Sequence, residues 1–255
     1  MSIHRVIFRF DFKANFEIVD RPGEIMRILD DVSDGFWDEL REASQNRRIM
    51  AVYKKAERER VARFIAVEPT AIYGVMESMA GWPLEDLEAN RVESFRVLLR
   101  LVTKLFERFQ ITDLSRAGLR LIHLGTPLDR IERLRSVFRQ KVATEVSSHI
   151  EKNLGEIADF GFGFEGMNED KIHYRVSFGP YLDQESQKWF QEFGADFTAE
   201  GDPNLIFDLD LFEHDISLPS GSAARWMRPL FARAKASLHS IEAYIGGAVH
   251  ESGRV

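Results

Sequence analysis

Two aspartates separated by one residue, Asp208 and Asp210, lie in Leu205–Glu213, a run whose alternating apolar residues read as a β-strand. Residues two apart on a strand face the same way, so both carboxylates project from one side of a sheet. Carboxylates placed like this can share a divalent cation and assist phosphoryl transfer. A nucleotidyltransferase built on them also needs a Gly-Ser turn ahead of the strand to cradle phosphates. The only Gly-Ser, Gly221-Ser222, comes after it. The plainer expectation is that both aspartates pair with arginines on neighbouring strands. Strand alternation makes Arg9, Arg120 and Arg175 the candidates. Opposite charges facing each other across strands contribute ~0.2–1 kcal/mol each, enough to hold register. Together Arg9, Arg120, Arg175, Asp208 and Asp210 would make a charged surface able to grip a polar ligand or a peptide.

A second set is cationic. Arg96, Arg100, Lys104 and Arg108 recur every four residues along a helix expected from about Val92 to Gln110. Arg130, Arg133, Arg135 and Arg139 follow on the next expected helix. Such a face suits phosphates, and binding through it would weaken steeply with salt. The aromatics needed for base stacking are not interleaved with these cations, because they occupy the helix's apolar stripe. A solvated helix face is the plainer reading.

Other chemistry finds less support. The seven histidines (His4, His123, His149, His173, His214, His239 and His250) show no metal-ligand spacing. His123 and His173 fall in expected strands, where they could approach each other or Asp208 as an acid–base couple. Gly161-Phe162-Gly163-Phe164-Glu165-Gly166 is not followed by Lys-Ser/Thr or by a helix, so it reads as a strand with another element close to its backbone. No serine lies in a Gly-x-Ser-x-Gly elbow. With no cysteine, a thiol nucleophile, disulfides and thiolate metal sites are excluded. No metal site is assigned and no cofactor is called for.

The elements that must position these residues come in a repeated order. Val6, Phe8, Phe10 and Phe12 alternate with Arg5, Ile7, Arg9 and Asp11, the period of a half-buried strand. Pro22-Gly23 opens a helical stretch carrying Ile25, Ile28, Leu29, Val32, Phe36 and Leu40, with a break near Ser33-Asp34-Gly35. Strands are expected at Arg48–Lys54, Arg60–Val67 and Ala71–Glu77, closed by a Gly81-Trp82-Pro83 loop. The long helix follows, with Phe95, Leu98, Leu99, Val102, Leu105, Phe106 and Phe109 on its apolar face. The second half reads as strand Gly118–Leu124, a helix from Thr126-Pro127, a hairpin of 157–165 with 171–179, a polar insertion at 181–203 holding a short helix, and strand Leu205–Glu213. A final helix is capped by Ser220-Gly221-Ser222, with Pro229 forcing a kink or a later start.

The expected fold is therefore α+β: duplicated β-α-β-β-β-α halves forming a curved antiparallel sheet backed by helices, with a pseudo-twofold, TATA-binding-like layout. One composite domain spans 1–255, with halves 1–111 and 112–247 and a frayed tail at 248–255.

Charge is segregated along the chain. The total is −7, yet residues 91–141 hold twelve Lys/Arg against five Asp/Glu, and residues 151–220 hold four against sixteen. Those regions suit separate partners, or each other within an assembly. The N-terminus lacks the pattern of a signal peptide, and no apolar run reaches the roughly 20 residues that span a bilayer. A cytoplasmic protein with no membrane partner is expected.

Arg116-Ala117-Gly118-Leu119-Arg120 and Leu205-Ile206-Phe207-Asp208-Leu209-Asp210-Leu211-Phe212 carry one further signal. The chain resembles a sporadically distributed prokaryotic family of about 250-residue α+β proteins, over roughly its last two-thirds. In that family a Tyr and an Asn commonly follow the Gly-Leu-Arg, where this chain has Leu121 and His123. The family carries no settled activity, so the resemblance implies a fold rather than a reaction.

The function expected from the sequence is a non-enzymatic binding or interaction protein, an accessory component of a prokaryotic multi-gene system, with a protein partner or a homo-oligomer foremost. The alternatives are a metal-dependent phosphoesterase or nucleotidyltransferase-like enzyme using Asp208 and Asp210, and a nucleic-acid-binding protein using the basic 91–141 face.

Overall fold

Phe8 and Phe10, fully buried on the first strand, face away from Arg9 and set which side of the sheet is covered. Phe10 meets Phe106 edge-on at 5.3 Å and Trp226 at 5.8 Å, so two helices distant in sequence close over one strand. A computed structural model describes residues 2–34, 36–43, 48–53, 61–125, 150–154, 162–180, 205–218 and 223–252. Its elements in chain order are β1 (Ser2–Phe12), α1 (Phe16–Asp20), α2 (Pro22–Ser33), β2 (Glu39–Ala43), β3 (Arg48–Tyr53), β4 (Val61–Glu68) and β5 (Ala71–Pro83). There follow α3 (Leu84–Glu88), α4 (Glu93–Arg108), β6 (Asp113–Gly125), β7 (Phe162–Met167), β8 (His173–Pro180), β9 (Leu205–Ser217) and α5 (Ala223–Ser252).

The protein is mixed α+β. Its strands form one nine-stranded sheet in the order β2-β3-β4-β5-β1-β6-β9-β8-β7, with every neighbouring pair antiparallel. β1 and β6 lie side by side at the centre. Outward from β1 come β5, β4, β3 and β2; outward from β6 come β9, β8 and β7. One buried apolar cluster joins strands from both sides to α2, α4 and α5.

Local rules account for most boundaries. Pro22 occupies the first turn of α2, where its missing N–H costs nothing. Asp34, in the left-handed region with φ 51°, ends that helix. Asn15 caps α1 by accepting from the Glu17 N–H (3.0 Å), and its amide donates to the Phe109 carbonyl (2.9 Å), tying α1 to the end of α4. In the β7–β8 turn, Asn168 accepts from the Ile172 N–H at 2.9 Å.

Several expectations are corrected. Phe36 and Leu40 do not continue the first helical stretch: α2 stops at Ser33, and Leu40 lies in β2, a strand additional to the expected four of the first half. Gly81-Trp82-Pro83 is not a loop. β5 runs through it, because Trp82 and Pro83 pair with Ile3 and Ser2 at the start of β1. The register shifts between Ile3 and Arg5, and Gly81 takes φ +68° there, a bulge conformation that glycine adopts without strain. The last strand extends four residues beyond Glu213. The final helix starts before Pro229, at Ala223, and continues through 248–252. The expected helix at Thr126-Pro127, the short helix near 184–193 and the 54–60 boundary lie outside the described residues. No helix among the described residues is long and apolar enough to cross a membrane.

Candidate functional site

Cross-strand register decides what the paired aspartates meet. On the face turned away from the described helices, Arg120 of β6 stands opposite Asp210, and Ile122 opposite Asp208. Arg120 leans diagonally to Asp208 and donates twice, Nε to Oδ1 at 2.7 Å and Nη2 to Oδ2 at 2.5 Å. Asp210 is met instead by Arg116 Nη2, at 3.4 Å. The Arg116 guanidinium passes over Gly118, where a Cβ would sit 3.4 Å away, in ordinary van der Waals contact. The same guanidinium stacks over Phe212, 4.7 Å from the ring centre.

The polar face continues across the sheet. Arg116 approaches Asp11 of β1 at 4.0 Å, and Asp11 accepts from Arg9 at 2.8 Å. Arg9 lies 5.4 Å from the ring centre of Tyr73, whose hydroxyl donates to Glu68 (3.2 Å), and Glu68 also accepts from Arg48 at 2.8 Å. Charged groups from β3 to β9 are therefore linked through six neighbouring strands. On the same face Arg5 and the fully buried Glu77 form an ion pair at 2.9 Å. Arg175 stands opposite Asp210 in register, but its guanidinium bonds Glu165 on β7 at 2.6 Å. The structure thus brings Arg120 to the aspartates, places Arg9 and Arg175 on the same face with other partners, and supplies Arg116 as the partner sequence reasoning missed. The sequence did place Arg116 on that face, since two arginines four apart on a strand point the same way, but it did not specify the partner.

Burial raises the Asp210 carboxyl above the ordinary range, against the opposing pull of Arg116 and Arg120. Tyr73 is also raised, first by burial and then by the Glu68 charge. No group of three or more His, Asp or Glu among the described residues is arranged to hold a metal ion.

The His–Asp208 couple that strand placement left open does not form. His123 stands opposite Phe207 and stacks on it at 5.9 Å, on the face opposite to Asp208, while its Nδ1 contacts the Ser2 carbonyl at 2.5 Å. His173 lies near Phe212 and His214, not near His123. His4 Nδ1 accepts the Leu124 N–H at 3.1 Å; burial, aided by His123, lowers its pKa to about 4. In the Gly-Phe run, the Tyr174 ring lies over Gly166, where a Cβ would come within 2.4 Å of the hydroxyl.

The cationic stripe of α4 divides in two. At its C-terminal end Arg108 binds Glu24 of α2 twice (2.5 and 2.8 Å) and approaches Glu17, and this pairing holds the Glu24 carboxyl below its usual range. Lys104 lies 3.3 Å from Glu107. Arg96 and Arg100 are exposed and line a groove of about 860 Å³ with Lys104, Asp31 and Glu93. An adjoining hollow of about 410 Å³ shares Asn90, Leu99 and Ala224 with it and brings in Arg225 and Arg228 from the first turns of α5. Arg225 and Arg228 were not singled out from the sequence. Their one signal is a three-residue spacing beside the apolar stripe of that helix. Arg130, Arg133, Arg135 and Arg139 lie outside the described residues.

The basic 91–141 and acidic 151–220 regions meet within the chain at the β6–β9 seam, where Arg116 and Arg120 face Asp210 and Asp208. No protein-family model matches this sequence, and no curated protein matches it.

Proposed function

We propose that this chain is a non-enzymatic binding protein that recognises another macromolecule, a protein foremost, as an accessory part of a prokaryotic system. The observation that carries this reading is the commitment of the candidate catalytic groups. Asp208 is held by Arg120 and Asp210 by Arg116. Asp11, Glu68, Glu77 and Glu165, on the same face, each have an arginine partner as well. A carboxylate paired with a guanidinium is less available to a cation or a proton, and charge-assisted bonds of this kind are among the stronger ones in a protein. A charge ladder that crosses the sheet serves register and surface shape better than it serves a reaction.

The same reading takes the two halves as related units about a pseudo-twofold axis between β1 and β6, a TATA-binding-like layout with a curved outer face. The mirrored strand order outward from β1 and β6 supports it. The extra edge strand β2 makes the halves unequal.

The test is direct. The purified protein, incubated with millimolar Mg²⁺ or Mn²⁺ and nucleotide or oligonucleotide substrates, is expected to show no turnover, and calorimetry no metal binding. Turnover that disappears in Asp208→Asn would overturn the proposal.

A further inference from the structure

Most arginines whose side chains are described have a carboxylate partner, as the sheet face shows. The exceptions are Arg27 and the four that surround one groove: Arg96 and Arg100 on α4, Arg225 and Arg228 on α5. Among the described residues none of these four makes an ion pair, and all four are exposed. They belong to a chain with a net charge of −7, where carboxylates outnumber cations and partners are plentiful. Five cations line the two joined hollows, Lys104 being the fifth, against three acids: Asp31, Glu88 and Glu93. Glu88 is already engaged by Lys235 at 3.8 Å.

Between the cationic rims the floor is apolar. Leu99, Met227 and Phe231 line it, and Phe95 meets Phe231 edge-on at 5.5 Å. We infer that this groove between α4 and α5 docks an acidic segment of a partner protein, whose carboxylates pair with the four arginines and whose aliphatic side chains lie along the floor. The inference rests on the binding-protein reading above and names the partner's chemistry. Charge complementarity decides the occupant. Guanidinium groups match carboxylates with two parallel hydrogen bonds, and an apolar floor between charged rims is how a groove receives an amphipathic helix. Phosphodiesters would also suit arginine, but single-stranded nucleic acid needs open aromatic faces for its bases. Phe95 and Phe231 are buried against each other and offer none.

The experiment uses fluorescence anisotropy on the full chain with three labelled probes of equal charge. They are a helical peptide with Glu on one face and Leu on the other, a scrambled peptide of the same composition, and a single-stranded oligonucleotide. The amphipathic peptide is expected to bind most tightly. The double variant Arg96→Glu/Arg225→Glu is expected to weaken it by about tenfold or more. Lys13→Glu/Lys171→Glu, with the same change of net charge at two exposed positions that line neither hollow, should leave binding unchanged. All four positions are exposed, and thermal melts check that both variants fold.

Equal binding of the scrambled peptide, or an equal effect of the control variant, would reduce the groove to non-specific charge and overturn the inference. Tighter binding of the oligonucleotide, lost in the groove variant, would replace the acidic segment with nucleic acid. Concentration-dependent self-association lost in the groove variant would make the occupant a second copy of this chain. None of these outcomes touches the turnover assay, so this inference can fail while the binding-protein reading stands.

Discussion

Arg120 holds Asp208 with two short hydrogen bonds (2.7 and 2.5 Å), whereas Asp210, two residues along the same strand, has one contact to Arg116 at 3.4 Å. The two aspartates share a face and a motif but differ electrostatically. At Asp208 the guanidinium satisfies the carboxylate; at Asp210 burial outweighs the attraction of the neighbouring arginines.

Asp208→Asn should destabilise the fold without removing any reaction. A hydrogen bond to a charged group contributes about 1.5–3 kcal/mol. Arg120 is 38% exposed, so solvent screening places the expected loss near the low end. Urea unfolding at neutral pH checks the value, and Arg120→Gln in the same background should cost little more. Two independent, additive losses would show that the pair is not a unit.

Asp210→Asn should behave differently. The folded pKa of Asp210 is raised, so its contribution to stability is fully present below the unfolded carboxylate pKa and is lost as pH rises through the folded value. The stability of the wild type relative to the asparagine variant should therefore decline across that window and level off towards neutral pH. Urea midpoints measured at steps from pH 3 to 7 report the difference. A wild-type advantage that grows with pH would contradict the assignment.

Much of this was legible in sequence because strand period survives without tertiary help. Arg9, Arg120, Arg175, Asp208 and Asp210 share a face through alternation alone. Which arginine meets which aspartate is a matter of register and reach. Arg116 reaches Asp210 across the space above Gly118, and no local pattern specifies that contact. β2 was missed because Glu39-Leu40-Arg41-Glu42-Ala43 consists of good helix formers with little alternation, on an edge strand held only by β3. The end of β5 was read as a loop because Gly81 and Pro83 punctuate it, while its pairing with Ser2 and Ile3 is about 80 residues distant in sequence. Arg225 and Arg228 escaped notice for a similar reason: α5 reaches the cationic face of α4 only through the fold.

His4 gives a second pH effect, of opposite sign. Its neutral Nδ1 accepts the Leu124 N–H inside the β5 bulge, and its folded pKa of about 4 lies below the ordinary 6.5. A lowered histidine contributes stability that is present above pH 6.5 and lost as pH falls towards 4. His4→Asn keeps an acceptor near the Nδ1 position but does not titrate. Thermal melts between pH 7 and 4 should show a shallower decline in this variant than in the wild type, and parallel curves would remove His4 from the account.

Phe8 and Gly74 stand directly opposite each other on β1 and β5, and the Phe8 ring covers the glycine. A Cβ on Gly74 would come within 2.3 Å of the ring, and Phe8 is fully buried with nowhere to turn. Gly74→Ala should therefore destabilise the protein through overpacking, by about 1–3 kcal/mol. Phe8→Leu alone should also cost stability, since it removes ring atoms from the core. Combined, the two changes should cost less than their sum, because the smaller side chain clears the space the new methyl needs. A double-mutant cycle by urea unfolding measures that coupling. Strict additivity would mean that the ring is not what keeps position 74 small.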